Sequence, residues 1–244
     1  MFQRHRVILH FGVEFALLTV LFISFSSMAE QETRVFSEGN TVYYHGAMDK
    51  AANARLFELV ATKGDVIEWL SIESVGGEVN VGMDIGEFLV ANHLNVRVDN
   101  FCLSSCANYV FPAGVQKIMS NDASIAFHGG VQALTDQMDT YIASLPAAEQ
   151  KTVRIKVQAY VKAAIARENA FYKKLKVNKK INTLGLGQVY QHYTEKAEYR
   201  GWYYSPEALA TLGVRNITVI DPPWSYQPRD RVGKLFPVDI RDSK

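Results

Sequence analysis

Between residues 41 and 114 the chain alternates short runs of β-forming side chains with stretches of helical spacing, the pattern expected of crossover units on a largely parallel sheet. Residues 41–44 read as a strand. Residues 51–61 then set Ala52, Leu56, Leu59 and Val60 at helical intervals, and residues 66–72 return as a strand that runs into Gly76-Gly77. That completes one β-α-β unit. Residues 81–90 read as a second helix, 95–98 as a third strand, 106–111 as the opening of a further helix, and 124–127 as a short strand ending in His128. From 147 to 175 there is neither Gly nor Pro, and Val153, Val157, Val161 and Ile165 recur every four residues, which predicts one long helix with an apolar stripe. Such a stripe serves either the core or a second subunit. Four of the seven prolines fall in residues 222–244, so that end is expected to be an irregular arm.

Three pieces of this framework carry chemistry: Ser74-Val75-Gly76-Gly77, Ser104-Ser105-Cys106-Ala107 and Phe127-His128-Gly129-Gly130. Serine hydrolysis needs a hydroxyl beside an imidazole that takes its proton, plus N–H groups aimed at the oxygen that becomes negative. Ser105, just before the helix at 106, is expected at a strand-to-helix turn, where unpaired N–H groups and the helix dipole stabilise an anion. Gly76-Gly77 supplies an opposite wall that a carbonyl can approach without meeting a Cβ. Taken singly, Gly76-Gly77 reads as a tight turn and His128 as a structural histidine; it is their order with the serines that points to catalysis.

The first 29 residues stand apart. Arg4 and Arg6 precede an apolar run at 15–25, and Ser27-Met28-Ala29 offers the small residues of a cleavage site, so a signal peptide cut before Glu30 is expected. The alternative is an uncleaved membrane anchor over residues 7–25, although His10 and Glu14 make such a span costly. Cleavage predicts an exported, periplasmic or secreted protein, and the anchor a membrane-attached one. Removing Arg4, Arg6 and Glu14 from 26 basic and 25 acidic residues leaves 24 of each. This balance, with no concentrated basic block, argues against nucleic-acid binding. The remaining 215 residues suit a single domain over 30–221 followed by the arm.

The ordered motifs resemble the Clp protease proteolytic subunit and the wider Clp/crotonase superfamily, specifically its exported, periplasmic Clp-like branch. Residues 74–85 are similar to the family's S-P-G-G-x-x-x-x-G-x-x-I run, residues 105–114 to its S-x-x-A-x-x-x-x-A-G segment in outline, and residues 124–128 to the strand that delivers its histidine. Tyr204-Ser205-Pro206-Glu207-Ala208 with Gly213 is similar to its late S-A-P-E-A-x-x-x-G segment. The likeness spans about residues 40 to 220 and implies an α/β fold: repeated β-β-α units, a mostly parallel sheet, helices packed around it and one long helix. It implies Ser105 as nucleophile, with Ser104 the neighbouring alternative, His128 as base, and the N–H groups of Gly77 and Cys106 as oxyanion donors. It also implies a peptide or protein substrate, a homo-oligomer, and no cofactor.

The chain departs from the family in two respects. Where the family carries an acid, this sequence has Arg200-Gly201; Glu198 and Glu195 are the nearest carboxylates, Glu198 is the named candidate, and a Ser-His dyad is the alternative. Cys102 and Cys106, the only cysteines, bracket the candidate serine. Export favours a disulfide between them; two buried thiols are the other reading, and Cys106 as nucleophile a remote third. No metal site is expected from two cysteines without paired histidines. Cytoplasmic Clp peptidases receive substrate from ATP-driven unfoldases, a partner not expected outside the cytoplasm, and no Walker loop is present. The expected activity is an ATP-independent serine peptidase. A catalytically inactive envelope binding or assembly protein of the same fold is the main rival, and a crotonase-like acyl enzyme the second, although nothing in the chain recognises a coenzyme A tail.

Overall fold

The structure, a computed structural model, describes residues 32–230 and 232–243; the expected signal segment lies outside them. No helix among the described residues is long and apolar enough to cross a membrane. The fold is α/β, with two mixed and mostly parallel sheets. Strand β1 (Arg34–Glu38) forms an antiparallel hairpin with β2 (Thr41–His45). Helix α1 (Lys50–Lys63) begins at Asp49, whose carboxylate accepts from Ala52 N–H at 2.9 Å, and crosses to β3 (Trp69–Glu73), parallel to β2. Residues 64–66 form a 3-10 turn, so this strand starts later than the β-rich run suggests. Helix α2 (Val79–Ala91) is capped by Glu78, which accepts from the N–H groups of Asn80 and Val81. It leads to β4 (Asn95–Val98).

From there to residue 127 consecutive strands alternate between two sheets. After β4 comes β5 (Phe101–Leu103); after β6 (Lys117–Ser120) comes β7 (Ser124–Phe127). Strand β8 is Tyr199–Tyr203, β9 is Ile217–Ile220 and β10 is Lys234–Pro237. The six-stranded sheet runs β1-β2-β3-β4-β6-β9 and the four-stranded sheet β10-β8-β7-β5. Just past β3, Ser74 bridges to Cys102 of β5, so the two sheets meet where the first glycine turn begins. Leu56, Leu70, Ile72, Met83, Leu89 and Val96 are buried between the six-stranded sheet and its helices, each burial contributing roughly 1.5–3 kcal/mol.

Helix α3 (Leu134–Ser144) precedes the long helix α4 (Ala147–Leu175), which has the bounds read from the sequence. Its buried stripe begins with Val153, Val157 and Val161 but continues through Ala164, Glu168, Phe171 and Tyr172. Each four-residue step overshoots a helical turn by about 40°, so a strict four-residue repeat rotates off the core and Ile165 is only half-buried. The helix is fastened to α2: the Arg167 guanidinium lies 2.6 Å from Asp84 and 2.7 Å from Glu87, and the Tyr160 hydroxyl meets the Glu78 carboxylate.

The C-terminal segment differs from the irregular arm expected. Its β10 pairs in parallel with β8, Trp224 donates to Ala123 O at 2.9 Å, Arg229 pairs with Asp122 at 2.6 Å, and Phe236 stacks on Tyr193. Because β10 is an edge strand and Pro237 its last residue, the proline interrupts no internal ladder.

Lys117 of β6 is buried at 4 % exposure, donating from Nζ to Gly114 O at 2.6 Å, and burial lowers its pKa from 10.5 to about 8. As pH falls from 10.5 to about 8 the unfolded chain gains this proton first, so stability declines across that window and the deficit is complete below it. The deficit is at most about 3 kcal/mol. Lys117→Met is therefore expected to stabilise the protein by roughly 1–2 kcal/mol at pH 7, once loss of the Gly114 bond is offset. Urea unfolding at pH 7 and pH 10 tests this; an equal gain at both would show that the buried charge is not the cause.

Candidate functional site

Strand β5 ends at Leu103, and the chain then turns sharply into a π turn over Cys106–Val110 and a 3-10 turn over Phe111–Ala113 instead of a regular helix. The turning residue is Ser104, at φ 55°, a left-handed conformation that costs a side-chain-bearing residue about 1–2 kcal/mol. Its neighbours hold it there. Ser104 N–H donates to Ala126 O of β7 at 2.8 Å, and Leu103 N–H donates to Ser74 O at 2.9 Å. A disulfide joins Cys102 to Cys106 across the turn, with their Cα atoms 5.2 Å apart and both residues fully buried.

Gly76 closes the other side. At φ 90° it approaches the turn so nearly that a Cβ would lie 2.7 Å from Leu103 O, 2.8 Å from Ser104 Cβ and 2.9 Å from Ser105 N. Only a glycine fits there.

His128, the residue after β7, faces this turn with Nε2 2.6 Å from Ser104 Oγ. The pairing falls on Ser104 and not on Ser105. Ser105 is 2 % exposed against 9 % for Ser104, and its hydroxyl donates to Gly77 O at 2.8 Å, tying the Gly-Gly turn to the helix start. The two adjacent side chains leave the turn in different directions because Ser104 alone is left-handed. Of the residues expected to supply donors, Cys106 begins the π turn two residues past Ser104, and Gly77 accepts the Ser105 hydroxyl through its carbonyl. Beside Ser104 Oγ the first N–H of the helical turn is that of Ser105, one of those with no intrahelical partner, and Cys106 lies one residue further on.

Burial holds the His128 imidazole below its ordinary value near 6.5, with a smaller opposing effect from its own backbone, so it is neutral at pH 7. In the tautomer with the proton on Nδ1, Nε2 accepts the Ser104 hydroxyl proton. Among the described residues no carboxylate hydrogen-bonds to this ring. The register of β7 against β8 pairs Phe127 with Trp202 and brings Gly201 opposite His128. A Cβ on Gly201 would lie 3.3 Å from His128 Cβ but 2.1 Å from Phe127 O. Glu198, three residues earlier, is half-exposed and pairs with Lys234 Nζ at 3.3 Å, while Glu195 accepts from Gln191. Neither is drawn to the imidazole, because β8 turns its glycine to that point.

Sequence reasoning missed Asn108, buried one turn after Ser104, whose Nδ2 donates to Gly129 O at 2.8 Å and so links the serine turn to the loop after His128. An amide three residues into an apolar helix start, Cys106-Ala107-Asn108-Tyr109-Val110, was the available signal. No family model matches this chain, and no curated protein matches it either.

Proposed function

We propose that this protein is an exported, ATP-independent serine hydrolase of Clp/crotonase-like fold, acting on peptides through a Ser104-His128 dyad. The observation that carries the reading is the 2.6 Å contact between Ser104 Oγ and His128 Nε2 at a left-handed strand-to-helix turn. The pairwise dealing of strands to two sheets is consistent with repeated β-β-α units, and the disulfide with an oxidising compartment.

In this mechanism Ser104 Oγ attacks the scissile carbonyl as His128 Nε2 takes its proton. The Ser105 N–H, with the Gly77 N–H as the second donor, stabilises the tetrahedral oxyanion. Collapse breaks the C–N bond, and the imidazolium returns the proton to the leaving amine. Water, deprotonated by the same imidazole, then attacks the acyl-Ser104 ester; breakdown of the second tetrahedral intermediate returns a proton to Ser104 and frees the acid. Without a carboxylate behind the ring, the imidazolium is less stabilised than in a full triad, which makes for a slow enzyme.

One observation favours a second reading, a non-catalytic binding or assembly protein: among the described residues no carboxylate hydrogen-bonds to the His128 ring, and the residue opposite it on β8 is Gly201. Fluorophosphonate labelling followed by peptide mapping separates the two. The adduct is expected on Ser104, forming faster as pH rises through a value below 6.5, where His128 loses its proton. An adduct on Ser105 would refute the proposed nucleophile, and folded protein that takes no label at any pH would leave the binding reading.

A further inference from the structure

Helix α4 buries a carboxylate. Glu168 is 3 % exposed, and among the described residues no cation pairs with it. Its Oε1 accepts from Tyr109 OH at 2.8 Å, Asn182 Nδ2 at 3.1 Å and Val131 N–H at 3.2 Å. An apolar side chain at this helix position would pack without the desolvation that a buried carboxylate suffers. The acid instead gathers donors from three separate segments.

Those donors converge on the loop after His128. Val131 N–H reaches Oε1 directly, and Gly130 is pressed against the same atom: a Cβ there would lie 2.6 Å from Glu168 Oε1 and 2.8 Å from Asn182 Nδ2. Gly129 O accepts from Asn108 Nδ2 at 2.8 Å. The Tyr172 hydroxyl joins the two halves of the cluster, 2.6 Å from Asn108 O and 2.9 Å from Asn182 Oδ1. Burial, with the nearby carboxylate adding to it, keeps the Tyr109 and Tyr172 hydroxyls protonated and therefore able to donate.

We propose that Glu168 is a positioning residue: by clamping residues 129–131 to α4 it fixes the backbone on the far side of His128 and so sets the imidazole against Ser104. The chain thereby orients its histidine from behind, through the main chain, where Gly201 offers no carboxylate to orient it through the ring. This inference rests on the Ser104-His128 reading of the site.

The test combines NMR titration of the His128 ring, assigned with His128→Gln, and the rate of fluorophosphonate labelling at Ser104. Wild type is compared with Glu168→Leu, Glu168→Gln and Tyr109→Phe. Leucine removes the acceptor; the expected result is labelling slowed about 10- to 100-fold, as for a displaced base, and a His128 pKa that rises toward its ordinary value as the ring leaves its buried position. Glutamine keeps Oε1 as acceptor and is expected to behave nearly as wild type. Tyr109→Phe removes one donor and is expected to shift both readouts in the leucine direction by less.

A folded Glu168→Leu protein with wild-type titration and labelling would overturn the proposal, since a merely structural residue would alter only its stability. Should the leucine variant fail to fold, Tyr109→Phe decides, and unchanged titration and labelling in it would be equally fatal. If wild type takes no label on Ser104, the hydrolase reading fails separately, and the His128 titration still judges Glu168.

Discussion

Ser104→Ala is expected to reduce hydrolysis of p-nitrophenyl esters by about 10³- to 10⁶-fold, leaving only what the oxyanion donors and binding supply. Ser105→Ala should act differently. Its hydroxyl stands 2.8 Å from Gly77 O and not beside the imidazole, so its loss removes one buried hydrogen bond, about 1 kcal/mol of stability, and loosens the Gly-Gly turn. A rate loss of about tenfold or less is expected from that. Steady-state kinetics on both variants, with folding confirmed by circular dichroism, distinguishes the neighbours. Equal collapse of both rates would mean that the turn acts as a unit, and collapse in Ser105→Ala alone would reverse the assignment.

The second large effect is at Gly201. It stands opposite His128, where an aspartate would most simply complete a triad, yet any side chain there meets Phe127 O at 2.1 Å, a backbone atom of the neighbouring strand. Its φ of 157° adds strain for a residue with a Cβ. Gly201→Ala is expected to destabilise the protein by roughly 2–5 kcal/mol, from overpacking and backbone strain together. Gly201→Asp should lose activity for the same reason, despite bringing a carboxylate to the histidine. Urea unfolding of both, beside ester hydrolysis by Gly201→Asp, checks this; a faster enzyme of unchanged stability would show that β8 can yield and that the dyad lacks only its acid.

The long helix was legible because its boundaries are local. Pro146 stops propagation on one side, and no Gly or Pro interrupts residues 147–175. The alternation of strands and helices from residue 41 was legible for the same reason, since periodicity is written in neighbouring residues. The choice between Ser104 and Ser105 was not. It depends on which serine turns left-handed, and that is imposed by Gly76 from 28 residues away and by β7. Gly201 could be read as a missing acid, but the collision with Phe127 O that bars one exists only in the β7–β8 register. Glu168 was hidden in a charged helix: nothing in Arg167-Glu168-Asn169 says which polar residue turns inward, and a four-residue repeat points to Ile165 instead. Strand β10 was obscured by the prolines around it, whose cost vanishes at a sheet edge.

Two sheets fed by consecutive strands also have a kinetic consequence. The Gly76-Gly77 turn, the Ser104 turn and His128 follow one another at intervals of 24 to 28 residues along the chain, and each is delivered by a strand that pairs with partners distant in sequence. Parallel pairing of this kind forms late, after the loop-closure entropy of every crossover has been met. A nascent or partly folded chain carries every one of these residues without their arrangement. Under the proposed hydrolase reading, chain topology thereby withholds the assembled serine–histidine pair from an incomplete molecule.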